Sequence, residues 1–135
     1  MRLRPGIIAA LSLLAWTAQG ASATAPWPCD KAKTTADMIS CADRELRQHD
    51  AEMARSYRAL TERAKAMNTP EPGYGPPPLD ALQQSQRAWL AFRDADCHWK
   101  STSFYGGTGQ AVIAANCRAV MTRDRAAELR SMLAD

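Results

Sequence analysis

Two histidines and three acidic residues are the side chains of this 135-residue chain that could carry acid–base chemistry. His49 precedes Asp50, and Asp94 and Asp96 are two residues apart. Successive residues of a helix point about 100° apart and residues two apart also diverge, so neither pair forms a catalytic dyad. His98 adjoins a cysteine, and the chain has neither a Gly-x-Ser-x-Gly turn nor a glycine-rich phosphate loop. The sequence therefore predicts a protein that is not an enzyme and uses no cofactor.

The four cysteines offer either metal binding or disulfide formation. They are Cys29, Cys41, Cys97 and Cys117, separated by 11, 55 and 19 residues. These spacings contain none of the close Cys or His pairs that metal sites use, so no metal site is predicted. An even number of cysteines in an exported domain is typical of disulfides and allows three connectivities. Cys29–Cys41 with Cys97–Cys117 is favoured, because both bonds close short loops at the ends of predicted helices.

The first 23 residues have the pattern of an export signal. Arg2 and Arg4 form a basic start, and the apolar run 7–16 is too short for a membrane span, which needs about 20 residues. Ala21-Ser22-Ala23 is the small-residue pattern that precedes cleavage; Ala23-Thr24-Ala25 also fits but would leave Pro26 just after the cut. We predict a signal peptide at 1–23 and a mature domain at 24–135, periplasmic or secreted. Because no cysteine lies at the cleavage point, no stable membrane anchor is expected.

The charge of the mature domain argues against nucleic-acid binding. Of the 17 basic residues, two lie in the signal, which leaves 15 against 14 acidic residues and a net charge of +1. A nearly neutral exported domain has no electrostatic attraction for a polyanion. The basic clusters are interpreted as solvated helix faces: Arg55, Arg58, Arg63 and Lys65; Arg118, Arg123, Arg125 and Arg130.

A long amphipathic helix is predicted from about Thr35. Apolar residues recur every seven positions over about 30 residues, at Ile39, Leu46, Met53, Leu60 and Met67. Thr34 or Thr35 is the expected cap, with Asp37 near the positive end of the helix dipole. The stretch 70–78, with five prolines and two glycines in nine residues, ends this helix and forms a loop around Tyr74.

Two further helices complete the predicted fold. The second helix extends from about Leu79 to Trp99, and Trp89 and Phe92 lie on the face that is expected to point toward the core. A tight glycine-rich turn follows this helix. The third helix extends from about Gln110 to Leu133, and Thr122 is a candidate for a break within it. The apolar residues of this helix are Val112, Ile113, Val120, Met121, Leu129, Met132 and Leu133. The predicted class is all-α: a small antiparallel bundle of about three helices linked by two disulfides.

The most distinctive segment is Gln86-Arg87-Ala88-Trp89-Leu90-Ala91-Phe92-Arg93-Asp94, followed by Cys97. With Asp50, Tyr57, the glycine pair 106–107 and the series Cys117, Thr122, Arg125, Leu129, it closely resembles the LprI family of exported lysozyme inhibitors. The resemblance covers about residues 29–130. Met53-Ala54 stands where the family often has Leu-Asn, and the proline-rich loop is longer than usual.

The motif is interpreted first as structural. Trp89 and Phe92 offer apolar area, and Arg93 is expected to make a partly buried bidentate pair with Asp50 across the bundle. The motif core on this interpretation is Gln86, Arg87, Trp89, Phe92, Arg93, Asp94, Asp50 and Tyr57.

The resemblance implies a protein partner, a lysozyme whose cleft the domain would block. Candidate partner-binding residues lie on constrained loops, where aromatic anchors lose little entropy on binding: Tyr74, Phe104, Tyr105, Gly106 and Gly107. A charge of +1 gives little attraction to a basic lysozyme. The alternative is a periplasmic structural or adaptor domain that binds another envelope protein.

Overall fold

The computed structural model describes residues 29–67 and 69–134 and confirms the all-helical class. Its α-helices are α1 (Thr35–Ala66), α2 (Pro78–Ser101) and α3 (Gly109–Ser131), with 3-10 turns at Cys29–Lys31 and Thr102–Phe104. The predicted signal at 1–23 lies outside the described residues. None of the described helices is both long enough and apolar enough to cross a membrane.

α1 begins with a capping box, which confirms the sequence prediction and selects Thr34 as the cap. The Thr34 hydroxyl accepts a hydrogen bond from the Asp37 N–H at 3.1 Å, and the Asp37 carboxylate accepts one from the Thr34 N–H at 3.0 Å. The hydrogen bonds from the Thr34 backbone and side chain lower the pKa of Asp37 below its usual value. The first turn of α1 is thereby held by a charge-assisted contact.

The proline-rich segment connects α1 to α2 as predicted. Its two glycines, Gly73 and Gly75, have φ values of +89° and +85°, which side-chain-bearing residues rarely adopt. Pro78 is the first residue of α2, a position where the missing N–H costs nothing. The chain therefore turns at these glycines before α2 begins.

α3 lies against both other helices and contacts α1 most extensively. α2 is antiparallel to α1, and α3 returns parallel to α1, so that Arg63 of α1 donates to the Met132 carbonyl at 3.1 Å at one end of the bundle. The core cluster consists of Met53, Leu60, Ala126 and Leu129, with Tyr57, Leu82, Trp89 and Leu90 packed around it.

The inward face of α3 differs from the predicted one. Ala115, Ala119, Ala126 and Leu129 are buried, whereas the predicted apolar contributors Val120, Met132 and Leu133 are 45%, 40% and 37% exposed. Small alanines allow α3 to approach α1 closely, since the distance between packed helices is set by the side chains at the contact. The predicted break at Thr122 was also wrong, because α3 continues through it and buries its side chain.

Both favoured disulfides are present. Cys29–Cys41 ties the first 3-10 turn to α1 with a Cα–Cα distance of 5.7 Å, and Cys97–Cys117 joins α2 to α3 at 5.5 Å. The Arg44 guanidinium contacts the sulfur atoms of the first bond. Cys97 is fully buried, so the second bond is part of the packed interior at the end of α2. Two disulfides are consistent with an oxidising, extracytoplasmic compartment.

Removing the second disulfide should strongly destabilise the domain. The bond joins residues 20 positions apart, and closing a loop of this size stabilises by about 3 kcal/mol. We expect the Cys97→Ala/Cys117→Ala variant to lose about that much unfolding free energy in urea titrations followed by circular dichroism. Cys29→Ala/Cys41→Ala, with its shorter loop, should lose slightly less. A loss below about 1 kcal/mol in both variants would contradict this view of the fold.

The capping box should make stability depend on acid pH. Because the pKa of Asp37 is lowered on folding, its contribution is present above the unfolded pKa and is lost as the pH falls through the folded pKa. The wild type should exceed Asp37→Asn in unfolding free energy near neutral pH, and the difference should shrink as the pH falls through the lowered pKa of Asp37. Urea titrations at several pH values measure this difference; a difference independent of pH would be inconsistent with the ionised contact.

Candidate functional site

The motif residues of α2 meet α1 and α3 in the middle of the bundle. Gln86 is buried, and its amide nitrogen lies 3.3 Å from the Met53 sulfur of α1. The Gln86 carbonyl oxygen accepts a hydrogen bond from Arg125 Nε of α3 at 3.2 Å. One side chain of α2 therefore contacts both neighbouring helices and sets their relative register.

Arg125 is buried, contrary to the prediction of a solvated basic face. Its Nη1 donates to Glu128 at 2.8 Å and its Nη2 to the Ser85 hydroxyl at 3.3 Å, in addition to the bond to Gln86. A guanidinium that loses water needs such partners on each nitrogen. The sequence contained an indication of this burial. Arg125 follows Thr122 by three residues and precedes Leu129 by four, and this spacing places it on the same face of α3 as those two buried residues.

Arg93 reaches α1 and α3, but its bonding differs from the expected bidentate pair. Its Nη1 donates to the buried Thr122 hydroxyl at 3.0 Å, and its Nε donates to Asp94 at 2.9 Å. Asp50 lies 3.7 Å from Nη1, within ion-pair range but too far for a hydrogen bond. The Asp50 side chain is 46% exposed, so water competes for its carboxylate, and the bidentate prediction was wrong.

Trp89 lies beside both arginines. The guanidinium carbons of Arg93 and Arg125 are 5.5 and 5.8 Å from its ring centroid, within the range of cation–π attraction. The ring also packs against the core cluster, in line with the prediction of a core anchor. Trp89 is thus the apolar centre around which the two cations are arranged.

The other motif residues are divided between the interior and the surface. Tyr57 is half-buried and packs on the core cluster, while Arg87 and Asp94 are exposed. Phe92 is 59% exposed, so its predicted place on the inward stripe was wrong. The inward positions of α2 are Gln86, Trp89, Arg93 and Cys97, and Phe92 lies about 100° around the helix from Arg93, outside that stripe.

These contacts define a polar network inside the bundle. Every buried polar side-chain atom in the described part of the chain has a hydrogen-bond partner. A fully satisfied network of this kind fixes the register of helices more than it adds net stability. The geometry supports a structural role for Gln86, Trp89, Arg93, Thr122 and Arg125.

Two of the acid–base candidates, His49 and Asp96, each contact a residue one turn away on their own helix. His49 lies 3.3 Å from Glu52, one helical turn away, rather than pairing with Asp50, and this hydrogen bond lowers the pKa of Glu52. Asp96 is 2.6 Å from Lys100. Within residues 29–67 and 69–134, no group of three His, Cys, Asp or Glu side chains is placed to hold a metal ion.

The candidate partner-binding residues lie at opposite ends of the bundle. Tyr74, on the α1–α2 loop, is 87% exposed, and Tyr105, on the α2–α3 turn, is 84% exposed. The 24-residue helix α2 separates the two loops by about 36 Å. One protein molecule therefore presents two separate exposed aromatic residues, Tyr74 and Tyr105, rather than a single surface. We call these two loop residues the aromatic tips.

The α2–α3 turn is held in one shape by several short contacts. The Tyr105 N–H donates to the Thr102 carbonyl at 3.0 Å, and the Gly107 N–H donates to the Phe104 carbonyl at 2.9 Å. Gly106 has a φ of +76° and donates to the Gln110 side chain at 3.2 Å. Because the Cys97–Cys117 bond closes the base of this turn, Tyr105 projects from a constrained support.

Sequence reasoning did not identify the hollow beside Tyr74. Met67, Thr69, Glu71 and residues 74–78 line a space of about 460 Å³, open to solvent. A second hollow of about 220 Å³ shares Met67 and is lined by Leu60, Arg63, Ala64, Leu82 and Met132. The second hollow combines residues from the ends of three helices, which no local pattern relates to one another.

The fold and its network define a class of protein: a small all-helical domain, cross-linked by two disulfides, whose motif residues hold the helices in register. A family model described as "Lysozyme inhibitor LprI" matches residues 29–129, and the chain belongs to this family. An uncharacterized protein of Rhizobium meliloti (strain 1021) is 35% identical over 129 residues, which cover 92% of each chain. Comparison with solved structures finds no match.

Replacing Arg125 should destabilise the domain far more than replacing its exposed neighbour. Arg125→Met removes a buried hydrogen bond to Gln86 and a second bond to exposed Ser85, and we expect a loss of about 2–3 kcal/mol of unfolding free energy. The matched control is Arg123→Met on the same helix. Its side chain is 56% exposed and bonds to an exposed carboxylate, so a change within about 0.5 kcal/mol is expected. Equal effects in urea titrations would argue against the buried network.

Proposed function

We propose that this protein is exported to the bacterial periplasm, or secreted, and inhibits a lysozyme by blocking its cleft. The observation that carries the proposal is the family match, which spans the three helices as far as Leu129 and both disulfides. Family membership implies a non-catalytic role. The two disulfides and the export signal predicted at 1–23 support action outside the cytoplasm.

We propose that the aromatic tips make the contact with the enzyme. An aromatic side chain on a preformed loop loses little conformational freedom when it enters a cleft. More of the free energy gained by burying the ring therefore contributes to the affinity. The Phe104–Gly107 turn fits this requirement because its backbone bonds and the nearby disulfide already hold it in shape. Tyr105 is the side chain most available at this end.

The Tyr74 loop is the second proposed tip. Prolines restrict its backbone, the glycines on either side of Tyr74 adopt positive φ, and Tyr74 is 87% exposed beside the larger hollow. Exposed Glu71 and Asp80 lie near this end of the bundle. Acidic groups here would attract a basic lysozyme locally, which the small net charge of the whole domain does not do.

The first experiment measures inhibition directly. Purified protein at micromolar concentration is added to a lysozyme assay that follows the turbidity of a bacterial cell suspension. The proposal expects the clearing of the suspension to slow in proportion to added protein. Unchanged clearing at micromolar protein would contradict inhibition and favour the alternative, an adaptor domain that binds another envelope protein.

Substitutions at the tips test how the enzyme is bound. Tyr74→Ala and Tyr105→Ala each remove a largely exposed ring, so helicity measured by circular dichroism should not change. At least one of the two should raise the inhibition constant about tenfold, as expected for an interface anchor. The control is Val120→Ala, which alters an exposed apolar residue in the middle of α3. If both tyrosine variants stay fully inhibitory, the loop mechanism is wrong even where inhibition is real.

A further inference from the structure

The two disulfides differ in what surrounds their sulfur atoms. Cys97 is 0% exposed, and the Met121 sulfur lies 3.5 Å from Cys97 Sγ and 3.9 Å from Cys117 Sγ. In the other bond Cys41 is buried, whereas Cys29 is partly exposed. A thiol in solution therefore has access to Cys29, while it reaches Cys97 only if the bundle opens.

The Arg44 guanidinium places a positive charge against the Cys29–Cys41 bond. Its Nη2 contacts Cys29 Sγ and lies 3.7 Å from Cys41 Sγ. Arg44 follows Cys41 by three residues, so α1 itself presents both side chains on one face. Arginine is always charged in proteins. The first disulfide thus has a fixed cation beside both sulfur atoms, whereas the second has an uncharged thioether beside it.

A cation in this position favours cleavage of a disulfide by a thiol. When a thiolate attacks one sulfur, negative charge spreads to the second sulfur and finally rests there as a thiolate. A neighbouring positive charge stabilises the departing thiolate and so speeds its departure. Access and electrostatics therefore both favour reaction at the first bond over the second.

The three-helix bundle does not depend on the first bond for its assembly. The 3-10 turn Cys29–Lys31 packs on α1 and on neither of the other two α-helices. α2 and α3 are joined by the Cys97–Cys117 bond, and Gln86 links α2 to both of its neighbours. Opening the first bond therefore releases the chain ahead of α1 while the bundle stays folded.

We infer that Cys29–Cys41 is a thiol-exchange site at which Arg44 promotes reduction by a dithiol. A thiolate of the dithiol attacks Cys29 Sγ, the bond between the two cysteines breaks, and its electron pair passes to Cys41 Sγ beside the guanidinium. The second thiolate of the dithiol then attacks the sulfur bonded to Cys29 and releases Cys29 as a thiolate. The dithiol leaves as a disulfide, and the two cysteines gain its two electrons and its two protons.

A reduction time course compares the two disulfides within one molecule. Purified folded protein is kept in dithiothreitol at neutral pH, samples are alkylated at intervals, and each cysteine is followed by peptide mass spectrometry. Cys29–Cys41 should open at least about tenfold faster than Cys97–Cys117, with helicity by circular dichroism retained after the first bond has opened. Equal rates, or loss of the helices together with the first bond, would overturn the inference.

Substitutions at Arg44 test the part that the cation plays. Arg44→Gln removes the charge and should slow opening of Cys29–Cys41 about fivefold, whereas Arg44→Lys keeps a charge and should stay within about twofold of the wild type. The matched control is Arg47→Gln, which removes the same charge at an exposed position three residues further along α1 and should leave the rate unchanged.

The Cys97–Cys117 bond is the internal control for these variants, and its rate should not change. If Arg44→Gln leaves the rate at Cys29–Cys41 unchanged, or slows both bonds equally, the assigned part of Arg44 is wrong.

Reduced glutathione identifies the sulfur that is attacked. A monothiol stops readily at the mixed disulfide, and after alkylation the glutathione should be found on Cys29, the more exposed partner. Glutathione on Cys41 would contradict the order of attack. These outcomes are independent of the proposed function, because none of the measurements involves a lysozyme.

Discussion

The burial of Arg125 is the constraint on which the arrangement of the three helices depends. A guanidinium taken out of water must find hydrogen-bond acceptors, and Arg125 finds them in Gln86 and Ser85 of α2 and in Glu128 of α3. Those acceptors are available only when α2 and α3 are in one register. Arg93 imposes a similar condition through its bond to Thr122, and Trp89 lies against both cations.

This network compensates for a core with few large side chains. The buried residues of α3 are mainly alanines, and the largest fully buried side chains of the described chain are Leu129, Thr122, Cys97 and Ser101. Alanine contacts bring helices close together but contribute less hydrophobic free energy and define register less sharply than interdigitating large residues. Polar bonds in the middle of the bundle and two disulfides toward one end supply the specificity that the apolar contacts lack.

The rigid middle of the bundle is distinct from the exposed connections that are available to partners. The middle of the bundle is occupied by mutually bonded side chains, whereas the exposed rings of Tyr74 and Tyr105 lie on the connections at the two ends. Connections held by a rigid scaffold are where proteins commonly place their binding residues.

The sequence by itself determined the helices, their order and the disulfide pairs, because these features depend on contacts between residues close in the chain. The helix ends are set locally, by the cap at Thr34 and by the prolines of 70–78. The disulfide partners are also near each other in the chain, 12 and 20 residues apart. Only the tertiary structure decided how each helix is rotated. That rotation buried Arg125 and exposed Phe92, since small shifts about a helix axis exchange inner and outer positions and depend on which partners neighbouring helices offer. The placement of Tyr74 and Tyr105 at opposite ends of the bundle, separated by about 36 Å of helix, likewise followed from the length and direction of α2.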